Sequence, residues 1–179
     1  QRKQENPHDV HEVPVDARHL HAAVLLAREV PAEGADGHEQ QQQQALAQAP
    51  PPDVLYNNAL RDYNGAKNDL ATQEFSDYIK FYPNTDLAGN CYFYLGEIQF
   101  RQGNYVQAAQ SYDQVLQNFP SGNKAASAQL KKGFALVESG KQDDGVSELR
   151  HLIQRYPHSP EALQARDRLR KLGVPVTGK

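Results

Sequence analysis

Five of the seven histidines fall early in the chain, at His8, His11, His19, His21 and His38. Spacings of two and three residues, as at His19/His21 and His8/His11, are the kind at which imidazoles can share a metal ion. Such a site needs neutral ligands held in tetrahedral or octahedral geometry, and the surrounding residues supply no frame to hold them. They run into Gln40 to Gln44 and then Pro50-Pro51-Pro52, a composition with too little apolar surface to offset chain entropy. The sequence therefore predicts no metal site and no cofactor. His151 reads as a surface or interface residue. Cys91 is the single cysteine; it excludes an internal disulfide and reads as a buried small hydrophobe rather than a nucleophile. Asp143-Asp144 opens a helix, where negative charge is favourable in any case. No Gly-rich phosphate loop ending in Lys-Ser/Thr occurs, and no Gly-x-Ser-x-Gly elbow. The sequence does not read as an enzyme.

Charge narrows the partners. Residues 53–179 hold 15 Lys/Arg against 14 Asp/Glu, and residues 1–52 hold 4 against 8. No basic field of the size nucleic acid needs is present, and Lys131-Lys132 is too short to make one. Residues 53–123 carry 4 basic and 8 acidic groups, whereas residues 124–179 carry 11 and 6. The folded part is thus acidic at its start and basic at its end, which can orient a partner. The longest apolar run, residues 22–27, is far below the ~20 residues that span a bilayer, so the chain is not expected to cross a membrane. It begins at Gln1, lacks Met and shows no signal peptide, which reads as a processed or truncated product.

The elements that position side chains come from a period. Tyr82-Pro83, Phe119-Pro120 and Tyr156-Pro157 stand 37 residues apart, the spacing of stacked helical repeats. Proline lacks an N–H and pushes its predecessor out of helical geometry, so each pair ends a helix. The expected helices are 54–63 and 68–82, 86–102 and 104–118, 123–139 and 141–155, then 160–172. Gly103 and Gly140 stand where a helix stops and positive φ is needed; Asn104 with Gln107 spells a capping box. Ser159-Pro160-Glu161 starts the last helix as N-cap, first-turn proline and dipole-matched carboxylate. The second repeat reads Tyr92, Leu95, Gly96, Ala108, Tyr112 and Pro120, the tetratricopeptide pattern of large, Leu-Gly, small, aromatic and Pro. The period exceeds the usual ~34 residues, and the excess is assigned to the turns between repeats.

The expected fold is all-α: a right-handed solenoid of three tetratricopeptide repeats (53–85, 86–122, 123–159) with a capping helix at 160–172. A disordered tail and linker, residues 1–52, precedes it, with one short helix at 16–30 on which Leu20, Val24 and Ala27 share a face. A flexible end, 174–179, follows. Residues at i, i+4, i+7 of each first helix point to the concave face. They are Tyr56, Leu60 and Tyr63; Asn90, Phe93, Glu97, Phe100 and Arg101; and Leu130, Phe134 and Val137. This composition suits an amphipathic helix or an extended peptide, and Phe93, beside the packing residues Tyr92 and Leu95, reads equally as core. Tyr56 and Leu60 exclude a Lys/Asn clamp on a terminal carboxylate.

Several stretches resemble one family more closely. Leu55-Tyr56-Asn57-Asn58-Ala59, Tyr82-Pro83-Asn84-Thr85-Asp86, Tyr94-Leu95-Gly96-Glu97-Ile98, Phe119-Pro120-Ser121-Gly122-Asn123-Lys124 and Leu130-Lys131-Lys132-Gly133-Phe134 are similar to the C-terminal domain of the YbgF (CpoB) family. The resemblance covers residues 53 to 173 and includes turns as well as packing positions. It implies a non-enzymatic periplasmic adaptor of the Tol-Pal system that binds TolA and a bifunctional penicillin-binding protein, coordinating outer-membrane constriction with septal peptidoglycan synthesis in cell division. It also implies a trimerising coiled coil ahead of a Gln/Pro-rich linker; the linker has a counterpart here, but no sustained heptad is found. The alternative is a repeat scaffold for outer-membrane protein assembly or another envelope complex. A peptidoglycan hydrolase or synthase lacks a nucleophile, metal site or acid/base pair in this sequence.

Overall fold

The computed structural model describes residues 49–176. The expected tail, with its histidines and the helix at 16–30, lies outside the described residues up to position 48. The described residues form seven helices: α1 (Pro52–Asn64), α2 (Asn68–Phe81), α3 (Asp86–Arg101), α4 (Tyr105–Asn118), α5 (Ala125–Glu138), α6 (Gln142–Arg155) and α7 (Pro160–Lys171). They pack as hairpins α1/α2, α3/α4 and α5/α6. Each hairpin stacks on the next through α2 on α3 and α4 on α5, and α7 covers α6 and the edge of α5. The fold is the predicted helical-repeat solenoid.

What closes each hairpin is a small residue under a large one. Ala59, Gly96 and Gly133 stand 37 apart on the first helices; Phe75, Tyr112 and Leu149 stand 37 apart on the second, and all three large residues are fully buried. A methyl group at position 96 would sit 2.6 Å from the Tyr112 ring, and one at 133 would sit 2.7 Å from a Leu149 methyl. Gly145 meets the Gly133 carbonyl from the other side, at 2.7 Å from where its own methyl would be. Three core clusters form along the stack on this pattern. The first centres on Phe75 and Tyr78, the second on Phe93 and Tyr112, the third on Leu130, Leu149 and Leu169. Cys91 is buried in the first, and burial pushes its thiol well above the ordinary range.

The turns follow a second rule. Gly103 and Gly140 hold φ of +78° and +86°. After each, the next amide reaches back to the last turn of the helix: Asn104 N donates to Gln99 O and Lys141 N to Leu136 O, both at 2.9 Å. This is a Schellman closure. It recurs after α1, where Lys67 N donates to Asp62 O at 2.9 Å, but the left-handed residue there is Ala66, at φ +57°. The capping box expected at Asn104 does not form. With ψ near 60° the residue is not extended, and its side chain makes no cap bond; Nδ2 faces Gln102 Oε1 at 3.4 Å. Ser159 does cap α7, its Oγ accepting from Ala162 N at 3.1 Å. Residues 174–176, assigned by the sequence to a flexible end, lie against the third core. Val174 N bonds Leu169 O, and the Arg150 guanidinium donates to Pro175 O at 2.7 Å.

Two expectations follow for urea unfolding. Gly96→Ala should lower stability by about 1–3 kcal/mol, because the Tyr112 ring has no free space to move into. Ala66→Gly should leave stability unchanged or raise it by up to about 1 kcal/mol, whereas Gly103→Ala should lower it by a similar amount. Equal effects of the two turn substitutions would contradict the left-handed assignment.

Candidate functional site

The structure divides the expected groove residues into two sets. Leu130 is 2% exposed and faces the third core, and Val137 packs onto Gly145 inside the α5/α6 hairpin. Neither lines a groove: packing of α6 and α7 against α5 takes both side chains. Phe93 is buried against Tyr112, with ring centroids 5.7 Å apart. Tyr56 is half-buried edge-on to Phe75 and Tyr78, and Leu60 packs beside it. Asn90 is buried too, and its Oδ1 has no partner among the described residues.

The second set lies together. Glu97, Phe100, Arg101 and Phe134, with the ring of Tyr63 that is itself buried in the first core, make contacts that run from one first helix to the next. Arg101 on α3 lies over the Tyr63 ring of α1, 4.5 Å from its centroid, and hydrogen-bonds its hydroxyl. On α5, Lys131 lies 5.7 Å from the Phe100 ring and pairs with Glu97 at 3.0 Å. On α7, Arg168 lies 5.8 Å from the Phe134 ring and pairs with Glu138 at 2.5 Å. Each rung thus sets a cation from one repeat over an aromatic of the previous one. Such contacts contribute about 0.5–2 kcal/mol according to desolvation. Between α3, α5 and α7 a cavity of about 320 Å³ opens, walled by Phe100 and Phe134 and rimmed by Glu138, Gln164, Arg168 and Lys171.

Sequence reasoning named Arg101 but missed the other two cations of this ladder. Lys131 and Arg168 stand 37 apart, so the period marks them, but a search for apolar spacing passes over charged residues. Lys131-Lys132 turns out to divide across the solenoid. Lys132 points the other way, bonding Asp113 and Glu148 at 2.7 Å each, so that α4, α5 and α6 are tied together. Burial opposes its charge, yet these two carboxylates hold its pKa above the ordinary lysine value.

Glu97 is held at the bottom of the groove by the Tyr112 hydroxyl, which donates at 2.6 Å. Burial, then that bond to a carboxylate, pushes the Tyr112 phenol far above its usual range. Burial also raises Tyr63, against the opposing pull of Arg101. It raises Tyr56 to about 12, against an opposing pull from Asn90. Among the described residues no cluster of three His, Cys, Asp or Glu could hold a metal, and no helix is long and apolar enough to cross a membrane.

A stack of helical hairpins of this kind is the architecture of protein-interaction scaffolds. A tetratricopeptide-repeat model matches residues 90–122 and 127–159, so the second and third hairpins resemble tetratricopeptide repeats in sequence as well as in shape. The chain is also similar to the outer membrane protein assembly factor BamD of Xylella fastidiosa, in strains 9a5c and Temecula1. Identity is 32% over 57 residues, covering 32% of this chain and 20% of that protein. The match thus spans only about a fifth of these relatives. Among solved structures, the tetratricopeptide domain of Arabidopsis OM64 superposes with a TM-score of 0.57 at 20% identity, over 67% of this chain and 94% of that one. The Yersinia enterocolitica type III secretion chaperone SycD, in complex with a peptide of the translocator YopD, gives 0.56 at 18% identity, over 66% and 86%. These two show the fold.

The tyrosines make this arrangement measurable. An unfolded phenol ionises near 10.0, whereas Tyr56 in the folded chain holds its proton to about 12. The stability this contributes is complete below pH 10 and is lost as pH rises toward about 12, because only the unfolded state releases the proton in that window. Alkaline unfolding should therefore begin in that range, and Tyr56→Phe should reduce the pH slope there. Tyrosinate absorbance that rises fully near pH 10 with the fold intact would contradict the burial described.

Proposed function

We propose that this protein is a non-enzymatic adaptor that holds a segment of a partner protein on its concave face. The observation that carries the reading is the ladder of Tyr63/Arg101, Phe100/Lys131 and Phe134/Arg168, in which the Tyr63 ring is buried but Phe100 and Phe134 stay half-exposed and Arg101 exposed along one face. Aromatic and Arg side chains flanking a cavity are the composition of binding hot spots. The peptide carried by the Yersinia chaperone, which shares this fold, agrees with such a use.

The setting we propose is the bacterial periplasm, within the Tol-Pal system, with TolA and a bifunctional penicillin-binding protein as partners and division as the process served. Support comes from the turn sequences Pro83-Asn84-Thr85-Asp86 and Pro120-Ser121-Gly122-Asn123, which resemble the YbgF (CpoB) family beyond what packing demands. A second reading, a scaffold in outer-membrane protein assembly, is favoured by the 57-residue likeness to BamD. Both make the chain an envelope scaffold and differ in the partner.

Titration against purified TolA and against outer-membrane assembly components separates them. The first reading expects TolA to bind and the affinity to fall about tenfold or more for Phe134→Ala or Phe100→Ala, the size of a hot-spot loss. Undiminished binding by folded variants would remove the groove from the proposal. Binding to assembly components in place of TolA would establish the second reading.

A further inference from the structure

The charges on the concave face are unequally satisfied. Its acids are occupied: Glu97 by Lys131 and the Tyr112 hydroxyl, Glu138 by Arg168, and Asp167 by Arg170. Three nearby cations are not. Among the described residues Arg101, Lys124 and Lys171 make no ion pair with a carboxylate. Arg101 and Lys171 are exposed. Arg101 is held in place by the Tyr63 ring, and Lys124 by the rings of Phe93 and Tyr94, at 5.1 and 5.4 Å from their centroids. Aromatic faces position a cation without neutralising it, so each keeps its full charge for a partner. Lys171 stands on the rim of the 320 Å³ cavity, whose walls are Phe100 and Phe134.

We infer that the groove selects an acidic partner segment, in which one large apolar side chain is flanked by Asp or Glu. The apolar side chain enters the cavity between Phe100 and Phe134, and the carboxylates meet Arg101, Lys124 and Lys171. Charge complementarity points to this occupant. A basic segment would meet three uncompensated cations while Glu97, Glu138 and Asp167 are already engaged, and like charges across an interface act against binding. A neutral segment would fill the cavity but leave the cations unused. This inference rests on the groove being the peptide site proposed above and names the chemistry it takes.

The test pans a display library of random peptides on the full chain at low salt, then measures the enriched peptides by fluorescence anisotropy. Expected are sequences with Asp or Glu around a Leu, Phe or Tyr. Replacing their acids by Asn and Gln should cost about tenfold in affinity, a gap that narrows as salt rises from about 50 to about 500 mM. Arg101→Glu and Lys171→Glu should weaken acidic peptides and leave their neutral versions little changed, whereas Phe134→Ala should weaken both. Enrichment of neutral or basic peptides that still depend on Phe134 would overturn the acidic selectivity and leave the groove standing. Acidic peptides indifferent to Arg101→Glu and Lys171→Glu would also overturn it. If no enriched peptide responds to Phe134→Ala, the groove reading itself fails.

Discussion

Helices α3 and α4 lie so close that the Tyr112 ring fills the space a methyl group at position 96 would need. That approach sets where everything else can go. It turns Leu95 and Ile98 into the core and leaves Glu97 at the foot of the groove, where the Tyr112 hydroxyl can reach it. The same ring therefore seals the hairpin and fixes the position of a groove carboxylate. Gly133 under Leu149 repeats the approach without the hydroxyl, so the third hairpin gains the packing but no such bond. There the acid sits one turn along, at Glu138, and Arg168 supplies the partner.

Two readings of one 37-residue period thus coexist. The core keeps it faithfully, with small residues at 59, 96 and 133 and large ones at 75, 112 and 149. The groove varies it. Position 63 is Tyr and position 100 is Phe, while position 137 is Val and has withdrawn onto Gly145. The aromatic of the third repeat is instead Phe134, at the position Glu97 holds in the second. Packing demands sameness because every hairpin must stack on an identical neighbour. Recognition is free of that demand, and the variation is concentrated there.

This explains what could be read in advance. Proline spacing located the end of every hairpin and Gly103 and Gly140 the turns of two, because those residues act on the backbone alone. The groove was half legible. Tyr63, Phe100, Arg101 and Phe134 come together where helical periodicity places them, but the same periodicity also selected Leu130, which a neighbouring helix covers. One helix's pattern does not say what packs upon it. Lys131, Lys124 and Arg168 escaped for the opposite reason: charge at a helix surface reads as solvated until the aromatic beneath it is seen. Asn104 matched a capping box, yet the backbone was already committed to closing the preceding helix, and local pairs of residues cannot show that competition.

Ala66 has a consequence for how the stack comes apart. Its equivalents, Gly103 and Gly140, adopt the left-handed turn without a β-carbon, whereas Ala66 holds it with one. A linear array loses structure by peeling from its ends, each unit being secured only by its neighbours. Of the two ends, the C-terminal one is locked by α7 and by the Arg150 contact to Pro175. The α1/α2 hairpin has the strained turn and a neighbour on one side among the described residues. Fraying is thus directional, and Tyr63 leaves Arg101 first. Arg101, one of the cations offered to a partner's carboxylates, thus stands at the junction that opens soonest, so occupancy there would act as a clasp on the stack.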